Sequence, residues 1–448
     1  MKIIIVGGGI GGLAAYLALR KHLADASPPV TILVFEAHKS ITSISSTIGG
    51  GLGLAPNGLR AISRISPDAA AYIEERGFAG EVMTFRNSHG ALLGRLRIGR
   101  KARYGIGELM LPRATVHDAL LQELRPGAVS WGSRVRYVKE NRDGVEVTLE
   151  DGTVETADLV IGADGVRSVV REAVFGQRYD AKYEHLTGVG GFLPVSSLSE
   201  TLRNSLRSDP VTMTFGARGF FGYSPTSADP TDLQTAQLMW WSTYETSEPL
   251  PRDTPPATIL EQLKARHAHW KSPADTPGRS VFSEIMSLGC VEPPPSQLLI
   301  LPGYVTPRLP HWSSLSGSGR ILLLGDAAHA MPPHAGQGVS CAVEDAVAIA
   351  LLLKHYRVSH RFGTDDSLGR TAKVYEAVRM NRVGKILDIA ARRGETKKTQ
   401  TWWQEKIRDW ALWLVCKLPE SLNDAQFGYD VEVDIAKYIA KLACEPHS

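Results

Sequence analysis

Three times in this 448-residue chain a short aliphatic run stops abruptly at a glycine turn. The runs are residues 2–6 before Gly7-Gly8-Gly9-Ile10-Gly11-Gly12, residues 158–161 before Gly162-Ala163-Asp164-Gly165, and residues 321–324 before Gly325-Asp326. Unbroken Ile, Val and Leu without alternating polar residues mark strands buried on both faces, and such strands build parallel sheets covered by helices. An α/β architecture follows, with the glycine turns at the carboxyl ends of its strands.

The first turn carries G-x-G-x-x-G at Gly7, Gly9 and Gly12. A helix over residues 13–22 follows it, then a strand over 30–35 closed by Glu36. The glycine spacing alone is weak. With a strand before it, a helix after it and an acid ending the second strand, it is the arrangement that binds a dinucleotide. Glycines let the backbone approach a pyrophosphate, and the carboxylate accepts from ribose hydroxyls. The third turn runs into a loop holding Pro332, Pro333, Gly336 and Gly338, and an apolar helix starts near Val339. The unpaired N–H groups at such a helix start suit a cofactor that carries negative charge.

Between these turns the pattern changes. Residues 41–60 are rich in Ser and Gly, include Gly50, and end at Pro56-Asn57, a candidate cap for a helix over 58–65. Residues 82–86 and 91–97 alternate around Asn87-Ser88-His89-Gly90 as a hairpin. Arg113 falls in the first turn of a helix over 113–124, where a cation opposes the dipole; an anionic ligand would explain it. Residues 135–157 form a meander with turns at Arg142-Asp143-Gly144 and Glu150-Asp151-Gly152. From 183 to 245, short strands carry Phe192, Phe215, Phe221, Tyr223 and Trp241, a sheet suited to an apolar ligand or to its own aromatic core.

The C-terminal region, from about Val374, is helical with a polar break over 392–401. Trp403, Ile407, Trp410 and Leu414 recur at helical spacing, widened by Trp402 and Trp413. A lid packed on the main body is the expected role; a helix lying peripherally on a membrane surface is the alternative.

Hydrophobic content of 43%, charged content of 22% and a formal charge of +3 fit a globular chain of two or three modules without a nucleic-acid footprint. Cys290, Cys341, Cys416 and Cys444 are widely spaced, which points to a reducing, cytoplasmic setting. The N-terminal apolar run breaks too early for a signal peptide, and no segment has the length of a membrane span. His329 and His334 with Asp326 lack chelate spacing, so no metal is expected. Gly338-Val339-Ser340-Cys341-Ala342 falls short of a nucleophile elbow at its fifth residue.

Gly7 to Gly12 with Glu36, Arg113 at a helix start, Gly162-Ala163-Asp164-Gly165, and Gly325-Asp326 through Gly338 stand in an order that resembles the class A flavin-dependent monooxygenases. These are the family similar to para-hydroxybenzoate hydroxylase, and the chain is most similar to its secondary-metabolism branch. The resemblance covers all but the C-terminal stretch. It implies a Rossmann-like, glutathione-reductase-type FAD-binding domain of residues 1–81, 99–180 and 285–373. Into this is inserted a mostly antiparallel β-sheet substrate domain of residues 82–98 and 181–284, and a helical region of residues 374–448 follows.

By that resemblance Gly7, Gly9 and Gly12 approach the FAD pyrophosphate and Glu36 holds the adenosine ribose. Gly50, or its neighbour Gly49, lines the flavin and Arg113 contacts the cofactor. Asp164 and Gly165 serve FAD and the passing nicotinamide nucleotide. Asp326 binds the ribitol or pyrophosphate region, and Pro332, Gly336, Gly338 and Val339 run beside the ring. Phe192, Phe215, Phe221 and Trp241 would line the substrate pocket, with Tyr223 positioning the substrate. The chemistry implied is reduction of FAD by NADH or NADPH, formation of a C4a-hydroperoxide with O₂, and oxygen transfer to an apolar aromatic or polycyclic small molecule. Two departures stand out. Ser340 replaces the commoner Asn, and Gly190-Gly191 occupy the region where some relatives carry an assisting arginine. A halogenase-like flavoprotein, a dehydrogenase, or a non-catalytic FAD redox sensor or escort protein are the alternatives.

Overall fold

The computed structural model describes residues 1–40, 49–291, 298–333, 336–358 and 364–444. Five strands form one wholly parallel sheet in the order Ile321–Leu323, Leu159–Gly162, Lys2–Val6, Thr31–Glu36, Val129–Trp131. Ile3, Ile4 and Ile5 have no exposed surface, as strands covered on both faces require. One cover includes the helix Ile10–His22 against Gly338–Val358, whose Val343, Ala346, Val347 and Ala350 are fully buried. The antiparallel meander Val135–Asn141, Gly144–Leu149, Val154–Ala157 follows the expected turns.

The second large sheet has seven strands, in the order Leu299–Val305, Lys182–Pro194, Gln237–Glu245, Gly219–Pro225, Val211–Gly216, Val82–Asn87, Leu92–Arg97. All neighbours run antiparallel except Val82–Asn87 beside Val211–Gly216. The early hairpin therefore joins strands from much later in the chain. The sheet reaches further than the sequence boundaries place it. Leu299–Val305 lies inside the stretch 285–373 expected to belong to the first domain, yet it hydrogen-bonds to Lys182–Pro194.

Cross-strand register divides this sheet into two faces. Phe221, Tyr223 and Trp240 lie on one, packed under the helices Pro256–His267 and Val281–Gly289 with Trp270 and Phe282. Phe192, Met239, Trp241, Phe215 and Phe220 lie on the other, which turns towards the parallel-sheet domain and the C-terminal helices.

The C-terminal region holds the helices Thr364–Glu395, Trp402–Val415 and Val431–Cys444. The side-chain positions correct which face of Trp402–Val415 packs on the main body. Trp403, Ile407 and Trp410 are 70%, 65% and 62% exposed, so the apolar stripe of Trp402–Val415 points away from the body. Its opposite side, with Leu412 and Cys416, packs on the Phe85–Phe215 cluster. Among the described residues, no helix is long and apolar enough to cross a membrane.

Candidate functional site

Because Lys2–Val6, Leu159–Gly162 and Ile321–Leu323 are adjacent and parallel, their three glycine turns emerge side by side at one sheet edge. Backbone bonds lock the set. Ala163 N–H donates to Val6 O at 2.8 Å, and Leu324 N–H donates to Gly162 O at 3.0 Å. Gly7 has φ +106°, and a Cβ there would lie 2.5 Å from Ala163 O. A Cβ on Gly12 would lie 1.9 Å from Gly7 O. These two glycines serve the packing of the turns. Gly9 differs: a Cβ there would meet no atom within 4 Å, and the same holds at Gly165. Gly9 caps Ile10–His22 without a side-chain bond, and that helix has no acid in its first turn. Its amides face open space at the positive end of the dipole.

Glu36 ends its strand beside this loop, 6% exposed. It accepts from Gly8 N–H at 2.6 Å, from His38 N–H at 2.8 Å and shares a 2.6 Å contact with His38 Nδ1. Asp164 turns inward to the helix Val169–Phe175, accepting from Ser168 Oγ at 2.5 Å and Val169 N–H at 2.7 Å. Burial raises its pKa, and those donors oppose the rise. Asp326 is half-buried and its carboxylate has no hydrogen-bond partner among the described residues. Gly50 O accepts from Arg113 N–H at 2.8 Å, which brings two expected positions together; the Arg113 side chain is exposed. Gly338 opens the long helix, again without an acid in its first turn, with Val339 half-buried, Pro332 buried and Gly336 exposed. His334 and residues 41–48 lie outside the described residues.

An open glycine loop, two helix starts without acids, an unpartnered carboxylate and an exposed arginine fit a dinucleotide with a pyrophosphate and ribose hydroxyls.

Across from these turns stands the second sheet. A Cβ on Gly51 would lie 2.1 Å from Met239 Sδ, and one on Gly50 would lie 3.8 Å from Leu301. Phe192 and Trp241 are half-buried here. A Cβ on Gly222 would lie 2.5 Å from Trp241 Cζ2, so the indole occupies the space beside the glycine of the neighbouring strand. Phe215 shares the face but is covered by Phe85, Phe220 and the C-terminal helix. Phe221 and Tyr223 are not part of this wall. Strand parity puts them on the far face, Phe221 stacked on Trp240 at 5.8 Å and Tyr223 opposite Thr212, its pKa raised by burial.

Several groups escaped the sequence reading. Lys397 holds its ammonium 4.1 Å from the Phe220 ring centroid; burial and the Arg393 charge lower its pKa to about 7. Glu108, just before the strand Leu109–Pro112, is 5% exposed and its pKa is raised to about 7 by burial. Its Oε2 has no partner. Asn57 does not cap its helix. Ala55 does, Pro56 takes the first position, and the Asn57 amide donates to Gln337 Oε1 at 2.9 Å and Glu344 Oε1 at 2.8 Å. His329, weighed above as a ligand, sits 2.7 Å from Asp345. Ser340 is buried with its hydroxyl unpartnered against Gly58. Only acid–base pairs far apart in sequence would have signalled this network.

Comparison with known proteins agrees with the geometry. The family described as FAD binding domain matches residues 315–360, and that described as flavin containing amine oxidoreductase matches residues 68–170. A 3-amino-4-hydroxybenzoate 2-monooxygenase of Streptomyces platensis is 27% identical over 445 residues, covering 96% of each chain. A salicylate hydroxylase of Pseudomonas putida is 27% identical over 465 residues, covering 100% of this chain and 96% of that one. The crystal structure of Klebsiella pneumoniae HpxO with FAD and uric acid superposes with a TM-score of 0.74 at 22% identity, covering 97% of both chains, and shows the shared fold. Glycine turns, flavin-family matches and near full-length relatives converge on one likeness: along nearly its whole length the chain is similar to FAD-dependent aromatic monooxygenases.

Proposed function

We propose that this chain uses NADH or NADPH and O₂ to insert one oxygen atom into an apolar aromatic or polycyclic small molecule held between its two sheets. The observation that carries this reading is the pairing of an open glycine cradle with an aromatic wall. Gly50 and Gly51 approach Leu301 and Met239 of the second sheet, and Trp241 packs against Gly222 on the same face. When bound, FAD supplies the redox chemistry, accepting hydride from the nicotinamide and activating O₂.

The chain's own residues then have distinct tasks. The amides after Gly9 and the Asp326 carboxylate hold the cofactor's phosphates and hydroxyls, with Gly7 and Gly12 setting the turn. Glu36 takes the adenosine ribose, and Gly50 and Arg113 lie along the flavin edge. Asp164 shapes the second turn through Ser168 and leaves Gly165 open. The amides that begin at Gly338 and Val339, beside Pro332 and Gly336, favour negative charge on the ring. Phe192, Met239 and Trp241 orient the substrate and exclude water. Lys397, with its pKa near 7 over Phe220, holds or releases a proton at the rim of that wall.

The test is a panel of aromatic and polycyclic compounds offered to the FAD-loaded protein. NAD(P)H oxidation and O₂ uptake are followed together, and products are weighed for one added oxygen. Substrate-stimulated turnover with an oxygenated product is expected. A protein that stays yellow yet consumes O₂ at the same slow rate with every compound would instead be a redox sensor or escort.

A further inference from the structure

We propose that the outward face of Trp402–Val415, continued by Leu418 and Leu422, docks on an anionic lipid surface. The helix is held firmly on its inner side. Thr401 and Gln404 form a capping box at its start. Arg408, 5% exposed, donates to Gly216 O at 3.0 Å, and Leu412 and Cys416 pack on the sheet. The other side bears Trp402, Trp403, Ile407, Trp410, Trp413 and Leu414, all exposed. A helix anchored on one face with so many indoles on the other has the composition of an interfacial element, since Trp favours the level of lipid headgroups.

Charge selects the occupant. Lys406 and Lys417 are exposed on this segment, with ammonium groups 5.8 Å from the Trp402 centroid and 4.8 Å from the Trp413 centroid. Its carboxylates turn inward. Glu405 pairs with Arg408 at 3.4 Å, Asp409 accepts from Asn87 at 3.2 Å and Arg408 at 2.9 Å, and Glu420 accepts from Arg100 at 2.8 Å. The exposed charge of this segment is therefore positive, which complements anionic headgroups. A second copy packed symmetrically on this face would set lysine against lysine with no outward carboxylate to answer it. Docking would also bring the flavin-facing side of the second sheet, on which the helix rests, near the bilayer, where an apolar substrate dissolves. That consequence rests on the proposed function; the docking does not.

The experiment uses the full FAD-loaded chain with vesicles of phosphatidylcholine alone or mixed with phosphatidylserine. Cosedimentation with the mixed vesicles and a blue shift of tryptophan emission are expected, with binding about tenfold weaker to phosphatidylcholine alone. The double variant Trp403→Ser/Trp410→Ser should lose binding while its flavin absorption and melting temperature stay at wild-type values. Lys406→Glu/Lys417→Glu should lose the preference for phosphatidylserine. Equal failure to bind both vesicle types overturns the proposal. So does a dimer mass by light scattering that falls to monomer in Trp403→Ser/Trp410→Ser, because a second copy would then cover the face.

Discussion

The carboxylate of Asp345 lies 2.7 Å from Nε2 of His329, both fully enclosed in the protein. Asp345 also accepts from Arg379 Nε at 2.8 Å and from Gly325 N–H at 3.1 Å. One acid thus ties the long helix Gly338–Val358, the helix Thr364–Glu395 and the third glycine turn. Burial alone would raise its pKa, but His329 and Arg379 hold it below the usual carboxylate range. A depressed carboxylate stabilises the fold above its unfolded pKa of about 3.9, and that contribution disappears as pH falls through the folded value. Asp345→Asn leaves Arg379 paired with Glu344 at 2.8 Å but removes the second buried countercharge, and should cost about 1.5–3 kcal/mol at neutral pH. Thermal melts at pH 7 check this; an unchanged midpoint would remove Asp345 from the frame that holds the turn.

Gly9 and Gly12 should separate cofactor binding from folding. Gly9→Ala adds a methyl where the protein leaves open space, so the apo fold should melt as wild type while FAD affinity falls about tenfold or more, a loss of at least ~1.4 kcal/mol. Gly12→Ala drives a methyl into Gly7 O and should lower the apo melting temperature itself. Titration of apoprotein with FAD, beside its melting curve, reads both. Equal FAD affinity in Gly9→Ala would place the pyrophosphate elsewhere.

The Asp326 carboxylate, without a hydrogen-bond partner among the described residues, makes a related prediction. Asp326→Ala should purify with little bound flavin, judged by the ratio of visible to ultraviolet absorbance. A variant that is fully yellow would remove Asp326 from the cofactor site.

The two faces of the second sheet predict opposite phenotypes. Trp241→Ala should weaken turnover with a modest change in stability, because its ring borders the gap. Phe221→Ala should cost about 3–5 kcal/mol as a core truncation, with turnover per folded, flavin-loaded molecule preserved. Tyr223→Phe should likewise leave turnover near wild type. Loss of activity at native stability in either far-face variant would reverse the assignment.

Glu108 gives a pH signature. Its folded pKa of about 7 lies above the unfolded value of about 4.3, so the native state holds a proton that the unfolded chain releases. Stability from this group is therefore lost as pH rises from about 4 to 7. Glu108→Gln should gain up to about 3 kcal/mol relative to wild type between pH 5 and pH 8. Melting curves at the two pH values decide it, and a constant difference would mean the carboxyl is ionised throughout.

The parallel strands and their turns were legible because the signals are local: Ile3 to Val6 need no partner to read as doubly buried, and Gly7 to Gly12 carry their own context. Asn57 was misread because a side chain next to a helix start looks like a cap until Gln337 and Glu344 arrive from the far end of the sequence. Alternation around Phe220, Phe221, Gly222 and Tyr223 defines two faces but not which is covered; that depends on where Pro256–His267 and Val281–Gly289 pack. The stripe through Trp403 and Trp410 read as buried because periodicity reports an apolar face without reporting what lies against it.

The parallel pairing of Val82–Asn87 with Val211–Gly216 governs the order in which the molecule can be assembled. During synthesis the hairpin formed with Leu92–Arg97 emerges long before its neighbour, leaving one strand edge unpaired while the intervening chain is made. Ile321–Leu323 arrives later still to join Leu159–Gly162. Such distant pairings slow folding and leave strand edges open to aggregation for as long as their neighbours are missing.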